Sequence, residues 1–293
     1  MTPVELPIED ISIQIAAALA EDLGSGDITA DLIPGSDTAS ARVISRDSAV
    51  ICGCAWFNAV FQQLDESIVI TWEAQDGDAV GPKQTLCHLQ GPARAILSGE
   101  RVALNFLQTL SSTATQTRRY VNAVRGTEAR ILDTRKTIPG FRTAQKYAVN
   151  CGGGKNHRMG LYDMFLIKEN HIISTGSIAA SVKTARQRHP EVKIEVETET
   201  LDELQQALDA GTDIIMLDNF DLATLRKAVA LVQHRVKLEA SGGVNLDNVR
   251  SIAETGVDYI SVGALTKDIH AVDLSMRFEF ETHGDALASA GNQ

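Results

Sequence analysis

The chain has 293 residues, 44% hydrophobic, 22% charged and only 5% aromatic, with a formal net charge of −11. That length and apolar content suffice for one or two globular domains with cores of their own, and they exclude a disordered or fibrous chain. The acidic total excludes a general nucleic-acid binder, which needs a cationic surface to displace counterions from phosphates.

From about residue 8 to 22 apolar positions recur at helical spacing, and Gly24-Ser25-Gly26 ends the helix. Strand-like segments at about 39–46 and 67–73 flank a helix-like CAWFNAVFQQL, with turn punctuation at Asp76-Gly77-Asp78 and Gly81-Pro82. The first hundred residues therefore read as a small α+β unit. From about 93 to 125 the pattern predicts one long helix followed by another.

The rhythm then changes to strand, loop and helix, repeated. Strand-length apolar runs occur at ARILD (129–133), MFLIK (164–168), KIEVE (193–197), DIIML (213–217), VKLEA (236–240) and DYISV (258–262), mostly separated by amphipathic helical stretches. Such alternation implies a parallel sheet with right-handed crossovers, either a barrel or a doubly wound sheet. Last repeats of equal length and two glycine turns closing the array favour the barrel. LSMRFEF (274–280) alternates apolar and polar residues and reads as a strand returning to the N-terminal unit, with HGDALASAGNQ as a loose tail. The boundaries are an N-terminal α+β sandwich over 1–110, with 272–293 returning to it, and a catalytic α/β barrel over 111–271.

Cys52, Cys54, Cys87 and Cys151 show neither a disulfide framework nor zinc-site spacing, so reduced, buried thiols are expected. MTPVELPIED has no basic n-region or apolar h-region, and no apolar run nears the roughly 18 residues of a membrane span. A cytoplasmic protein with no membrane segment is the expectation.

The charge is unevenly placed. Between Arg130 and Lys168 stand eight Lys/Arg residues against only Asp133 and Asp163, a +6 segment in a chain otherwise at −17. Five glycines lie among them, which lets backbone approach a ligand closely. A small polyanion is the ligand this implies.

In βα architectures the reacting groups sit at the C-terminal ends of the strands. Read there, the sequence offers Arg135 and Lys136, then Lys168, Glu197, Asp218 with Asn219, Ser241-Gly242-Gly243, and Gly263. Helix caps account for Asp218 and Ser241 but not for the cations, which helix N-termini repel. The turns ASGG (240–243) and SVGA (261–264) each follow a strand and suit a phosphate. Glu197 and Asp218, one repeat apart, can bind ribose hydroxyls, hold Mg²⁺ through water, or do acid/base work. CGGGKN (151–156) is not a P-loop, because Val149 and Asn156 stand where Gly and Ser/Thr are required. Lys136 or Lys168 as the amine of a Schiff-base aldolase is a competing reading.

Together ERVALNFLQTLS (100–111), LDTRKTIPGFR (132–142), QKYAVNCGGGKNHRMGLYDMFLIKENH (145–171), EVE (195–197), MLDNF (216–220), EASGGV (239–244) and ETGVDYISVGALTK (254–267) resemble the quinolinate phosphoribosyltransferase family. The resemblance implies a barrel of six or seven βα units joined to an N-terminal sandwich, in a homodimer. It implies transfer of phosphoribose from phosphoribosyl pyrophosphate to quinolinate with loss of CO₂, giving nicotinate mononucleotide and pyrophosphate, with Mg²⁺. By matching motifs, Arg135, His157, Arg158 and Lys168 resemble the quinolinate-binding group, with Arg101 supplied by the neighbouring subunit. Lys136 is similar to a cation near the pyrophosphate and carboxylate. Glu197 and Asp218 resemble the residues that hold the ribose hydroxyls and the metal, and Ser241, Gly242, Gly243 and Gly263 those that take the 5′-phosphate.

Overall fold

The computed structural model describes residues 6–280. They divide into two compact units, one of residues 6–112 with 270–280, the other of residues 113–269.

The first unit opens with α1 (Ile8–Leu23), followed by β1 (Thr38–Ser45), β2 (Ala49–Val50), α2 (Cys54–Leu64), β3 (Val69–Trp72), β4 (Ala79–Val80) and β5 (Thr85–Pro92). With the last strand, β12 (Leu274–Phe280), they form an antiparallel sheet in the order β12-β1-β5-β3, while β2 and β4 pair separately. The returning strand read at 274–280 is thus observed, antiparallel to β1; the tail read after it lies outside the described residues. β1 buries alternate residues, Ala39, Ala41, Val43 and Ser45, as a strand with one face on a core must. Ile11, Ile15 and Leu19 of α1 and Trp56, Phe57 and Phe61 of α2 are also buried in this unit. β5 carries no expectation above, since its Gly91-Pro92 end reads as a loop.

α3 (Ala93–Ala123) corrects the expected pair of helices: it is one helix of 31 residues. Ser111, Ser112 and Thr113, in the middle of this helix, are buried. Ser111 Oγ accepts the Cys52 N–H at 3.0 Å, Ser112 Oγ accepts the His270 N–H at 3.1 Å, and Thr117 Oγ1 donates to the Thr113 carbonyl at 2.8 Å. The Ser111 and Ser112 hydroxyls, satisfied in place, no longer compete with the helix, while the buried Thr113 hydroxyl has no hydrogen-bond partner among the described residues.

In the second unit the strands are β6 (Arg130–Leu132), β7 (Phe165–Ile167), β8 (Ile194–Thr198), β9 (Ile214–Asp218), β10 (Lys237–Ser241) and β11 (Tyr259–Ser261). They are interleaved with α4 (Arg142–Cys151), α5 (Glu169–Thr175), α6 (Ile178–Arg188), α7 (Leu201–Asp209), α8 (Leu222–Val232), α9 (Val249–Ala253) and α10 (Ala264–Lys267). The six strands form one parallel sheet in the order β6-β11-β10-β9-β8-β7. Its edges are the first two strands of the unit, the order a rolled sheet takes, and Lys155 adds a parallel bridge to Leu132 on the free side of β6.

Side chains alternate across each strand, so each has two faces with separate fates. One face, including Ile131, Val196, Ile215, Leu217, Leu238, Ala240 and Ile260, packs against Leu204, Leu225, Ala228, Val249 and Ile252 of the surrounding helices. The other carries Leu166, Glu195, Glu197, Met216, Asp218, Lys237, Glu239, Ser241 and Ser261. The apolar core therefore lies between sheet and helices, and the inner face of the sheet is left for polar groups. No helix among the described residues is long and apolar enough to cross a membrane. Cys52 and Cys87 are buried as expected; Cys54 and Cys151 are only partly so, and no disulfide forms among the described residues.

Candidate active site

A cavity of about 480 Å³ opens at the C-terminal ends of the second unit's strands. Arg135, Lys136, His157, Arg158, Lys168, Glu197, Asp218 and Ser241 all line it, together with Thr134, Leu166, Met216, Glu239 and Ser261. Residues up to 127 positions apart, Thr134 and Ser261, meet here because every parallel strand delivers its C-terminal residue to the same end of the sheet.

The cationic side is held from below by a buried network. Asp133, the first residue past β6, is fully buried and ion-paired with Lys146 of α4, also buried. Burial pushes the Asp133 pKa up and the Lys146 pKa down, while their mutual attraction opposes both shifts. Asp133 also accepts the Asn156 side-chain amide at 2.5 Å and the His157 backbone N–H at 2.9 Å, and Lys146 donates to the His157 carbonyl at 3.0 Å. The segment carrying His157 and Arg158 is thus tied at several main-chain and side-chain atoms.

One Arg158 nitrogen donates to the Met164 carbonyl at 3.2 Å. Burial and the nearby Arg135 guanidinium pull the Arg158 pKa down, yet arginine stays charged in proteins. Two guanidinium forks that repel each other suit a ligand with two negative groups.

Opposite them, Lys168 is ion-paired with Glu197. Asp218 accepts from the Asn219 side-chain amide at 2.9 Å, and Asn219 takes a left-handed backbone, φ 57°, as its N–H reaches the Ser241 carbonyl at 2.9 Å. This close approach is why position 242 is glycine. A Cβ there would lie 2.1 Å from Asn219 Oδ1, and φ is +95°. Gly263 leaves similar room: a Cβ would stand 3.0 Å from Lys136 Cδ. Gly243, at φ +60°, faces open space.

Arg101 is not among the residues lining this cavity. It belongs to the first unit, on α3, where it borders a separate cavity of about 290 Å³ with Asp22, Asp27 and Ser98.

Two residues that the strand-end reading passes over stand inside the strands. Glu195 and Glu239 are fully buried on the inner face of β8 and β10. Burial pushes the Glu195 pKa up to about 7. Burial and the neighbouring Glu195 push Glu239 up to about 8. Glu195 Oε2 lies 2.8 Å from His157 Nε2, and Glu239 Oε2 lies 3.6 Å from the same nitrogen. Burial pulls the His157 pKa down, which favours the neutral ring. The signal for the pair was in the sequence, as a carboxylate in the middle of an otherwise apolar strand, since such a group is kept only with a partner. A second cavity, about 540 Å³, opens at the N-terminal ends of the strands and shares His157, Arg158 and Glu239 with the first, so these three form the partition between them.

The chain matches the quinolinate phosphoribosyl transferase N-terminal domain over residues 27–111 and the C-terminal domain of that enzyme over residues 113–277. It is 44% identical over 257 residues to a Bacillus subtilis protein named a probable nicotinate-nucleotide pyrophosphorylase (carboxylating), covering 87% of this chain and 89% of that one. It is 39% identical over 300 residues to the Arabidopsis thaliana chloroplastic nicotinate-nucleotide pyrophosphorylase (carboxylating), covering 95% and 86%. The solved nicotinate-nucleotide pyrophosphorylase of Francisella tularensis superposes with a TM-score of 0.92 at 46% identity, over 94% of this chain and 98% of that one.

Proposed function

The chain belongs to the quinolinate phosphoribosyltransferase family, and from that premise we infer that it transfers the phosphoribosyl group of 5-phosphoribosyl 1-pyrophosphate to quinolinate with decarboxylation. The products are nicotinate mononucleotide, pyrophosphate and CO₂, in de novo NAD biosynthesis. One observation supports this activity most directly: four cations, three carboxyl side chains and two serines line a single cavity, which suits a dicarboxylate beside a phosphorylated sugar.

In this reading Arg135 and Arg158 face the two quinolinate carboxylates, with Lys168 as a third cation and His157 at the floor. Ser241, Gly242, Gly243 and Gly263 take the 5′-phosphate through hydroxyl and backbone N–H groups. Lys136 stands by the pyrophosphate. Glu197 and Asp218 hold the ribose hydroxyls and face C1′, where positive charge develops as the C1′–O bond breaks and both its electrons leave with pyrophosphate. The pyridine nitrogen then donates its lone pair to C1′. The quaternised ring accepts the electron pair released when the adjacent carboxylate departs as CO₂, and a proton completes the new C–H bond. Displacement of water from the cavity by the two bound substrates would favour this step, because the leaving carboxylate loses its charge.

Glu197 and Asp218 are also the metal residues of this reading. Two carboxylates from adjacent strand ends, in a cavity without a cysteine and whose imidazole, His157, is bonded at both ring nitrogens, fit a hard, hydrated Mg²⁺, which when bound would supply positive charge to the departing pyrophosphate. Arg101, outside the cavity of its own chain's barrel unit, fits donation to the site of a second subunit in a homodimer. The four cysteines, none in a disulfide among the described residues, support a reducing compartment, the cytoplasm.

The test is a coupled assay with quinolinate, phosphoribosyl pyrophosphate and Mg²⁺. CO₂ and pyrophosphate appear in equal amounts if the reading holds. Pyrophosphate released with another pyridine, and no CO₂ from quinolinate, overturns it.

A further inference from the structure

His157 lines the substrate cavity, yet its ring has little to offer a ligand. Its Nδ1 lies 2.8 Å from the Arg158 backbone N–H and accepts from it. A nitrogen that accepts carries no proton, so the proton of the neutral ring sits on Nε2, which donates to Glu195 Oε2 at 2.8 Å. Both ring nitrogens are therefore committed inside the protein. The same assignment argues against a metal among His157, Glu195 and Glu239, although their ligand atoms lie within 4.8 Å of one another. A metal-bound imidazole donates from its second nitrogen, whereas here the second nitrogen accepts.

What the arrangement does is join a carboxylate pair to an arginine main chain. Glu195 fixes the ring by Nε2, the ring fixes the Arg158 N–H by Nδ1, and Asp133 and Lys146 hold the His157 main chain on either side. Glu239 Oε2 stands 3.6 Å from the same Nε2, so both carboxyl groups lie on the side of the ring that carries the proton. We propose that Glu195 and Glu239 are positioning residues for quinolinate: they lock His157 in its Nε2–H form and through it fix the main chain from which Arg158 reaches the substrate. This rests on the reading of Arg158 as a quinolinate ligand. The ring's two bonds run to Glu195 and to the Arg158 main chain, and neither reaches Glu197, Asp218 or the phosphate turns, so the expected effect falls on one of the two substrates.

The experiment compares Glu195→Leu, Glu239→Leu and Glu195→Gln with the wild-type enzyme, using steady-state kinetics for each substrate and the ring ¹⁵N signals of His157. Glu195→Leu raises the KM for quinolinate by about tenfold or more and leaves that for phosphoribosyl pyrophosphate within about twofold. Glu239→Leu acts in the same direction with a smaller change. Glu195→Gln, whose amide oxygen still accepts from Nε2–H, restores most of the quinolinate affinity. The wild-type ¹⁵N signals show a bare Nδ1 and a protonated Nε2. A protonated Nδ1 in the wild type overturns the proposal even where a leucine variant fails to fold. Equal loss for both substrates, or an unchanged quinolinate KM in folded Glu195→Leu, overturns it as well. Arg158→Ala is run alongside: unchanged quinolinate KM there strikes the reading of Arg158 itself, while the ¹⁵N signals still decide the clamp.

Discussion

Lys168 and Glu197, from the ends of adjacent parallel strands, are ion-paired across the mouth of the cavity, with the lysine side chain 45% exposed and the glutamate 17%. A dianion entering beside Lys168 must share or break this pair. In the function proposed above the two residues work on different substrates, the cation on quinolinate and the carboxylate on the sugar. Lys168→Met is expected to lower kcat/KM for quinolinate by about 10²-fold, mainly through KM. Glu197→Gln is expected to lower kcat by at least as much with little change in quinolinate KM, because Lys168 remains. Steady-state kinetics with each substrate varied in turn separates the two, and identical profiles would refute the division.

The Asp133–Lys146 pair is a different kind of object, because both side chains are buried and neither reaches the cavity lining. Removing one partner leaves a buried charge uncompensated, which costs about 3–5 kcal/mol. Lys146→Met is therefore expected to move the denaturation midpoint down sharply. The double variant Asp133→Leu/Lys146→Met recovers much of that loss. It does not recover activity, since the Asp133 bonds to Asn156 and the His157 N–H are gone. Urea melts together with quinolinate kinetics test both halves.

Glu239 makes stability depend on pH in a definite sense. Its ordinary pKa of 4.5 rises to about 8 in the folded chain, so between those values the native state holds a proton that the unfolded chain has lost. Its contribution is present at low pH and is lost as pH rises from about 4.5 through about 8. The groups facing it are Glu195, His157 and Ser261; the Glu195 and Glu239 charges oppose each other, and His157 and the Ser261 hydroxyl favour the Glu239 charge. Glu239→Gln keeps the shape without the titration, so the variant is expected to gain on the wild type as pH rises. Thermal melts at pH 5 and pH 8.5 read this directly; a constant difference between the two proteins would contradict it.

The reach of the sequence follows from what kind of order each feature has. Arg135, Lys168, Glu197, Asp218 and Ser241 could be read because a parallel sheet converts a one-dimensional rule, the residue at the strand end, into a shared location. Asp133, Lys146 and Asn156 could not, because a buried pair between a loop and a helix has no fixed spacing. Glu195 and Glu239 lie between. Strand alternation places Glu195 on the same face as Glu197, and Glu239 on the same face as Ser241, so the period alone points them inward. That two strands apart they would converge on one imidazole needs the register of β8, β9 and β10. The unbroken α3 was hidden for a local reason, since serines signal helix ends until a tertiary partner takes their hydroxyls, as happens to Ser111 and Ser112.

Arg135 and Arg101 provide a test of how complete one chain's site is. Arg135 is exposed, packs no core and lines the cavity, so Arg135→Ala is expected to abolish most activity while leaving the fold intact. Arg101→Ala is expected to do the same, although Arg101 belongs to the other unit and borders a different cavity. If Arg101 serves the site of a second subunit, the two inactive variants complement each other. In a dimer carrying one chain of each kind, one site draws both substitutions and the other draws neither. Random reassociation of equal amounts then restores about a quarter of the wild-type sites. Mixing the two purified variants under conditions that exchange subunits, and measuring CO₂ release, gives the answer. Recovery near one quarter requires donation across the interface, whereas no recovery on confirmed exchange places both arginines at the site of their own chain.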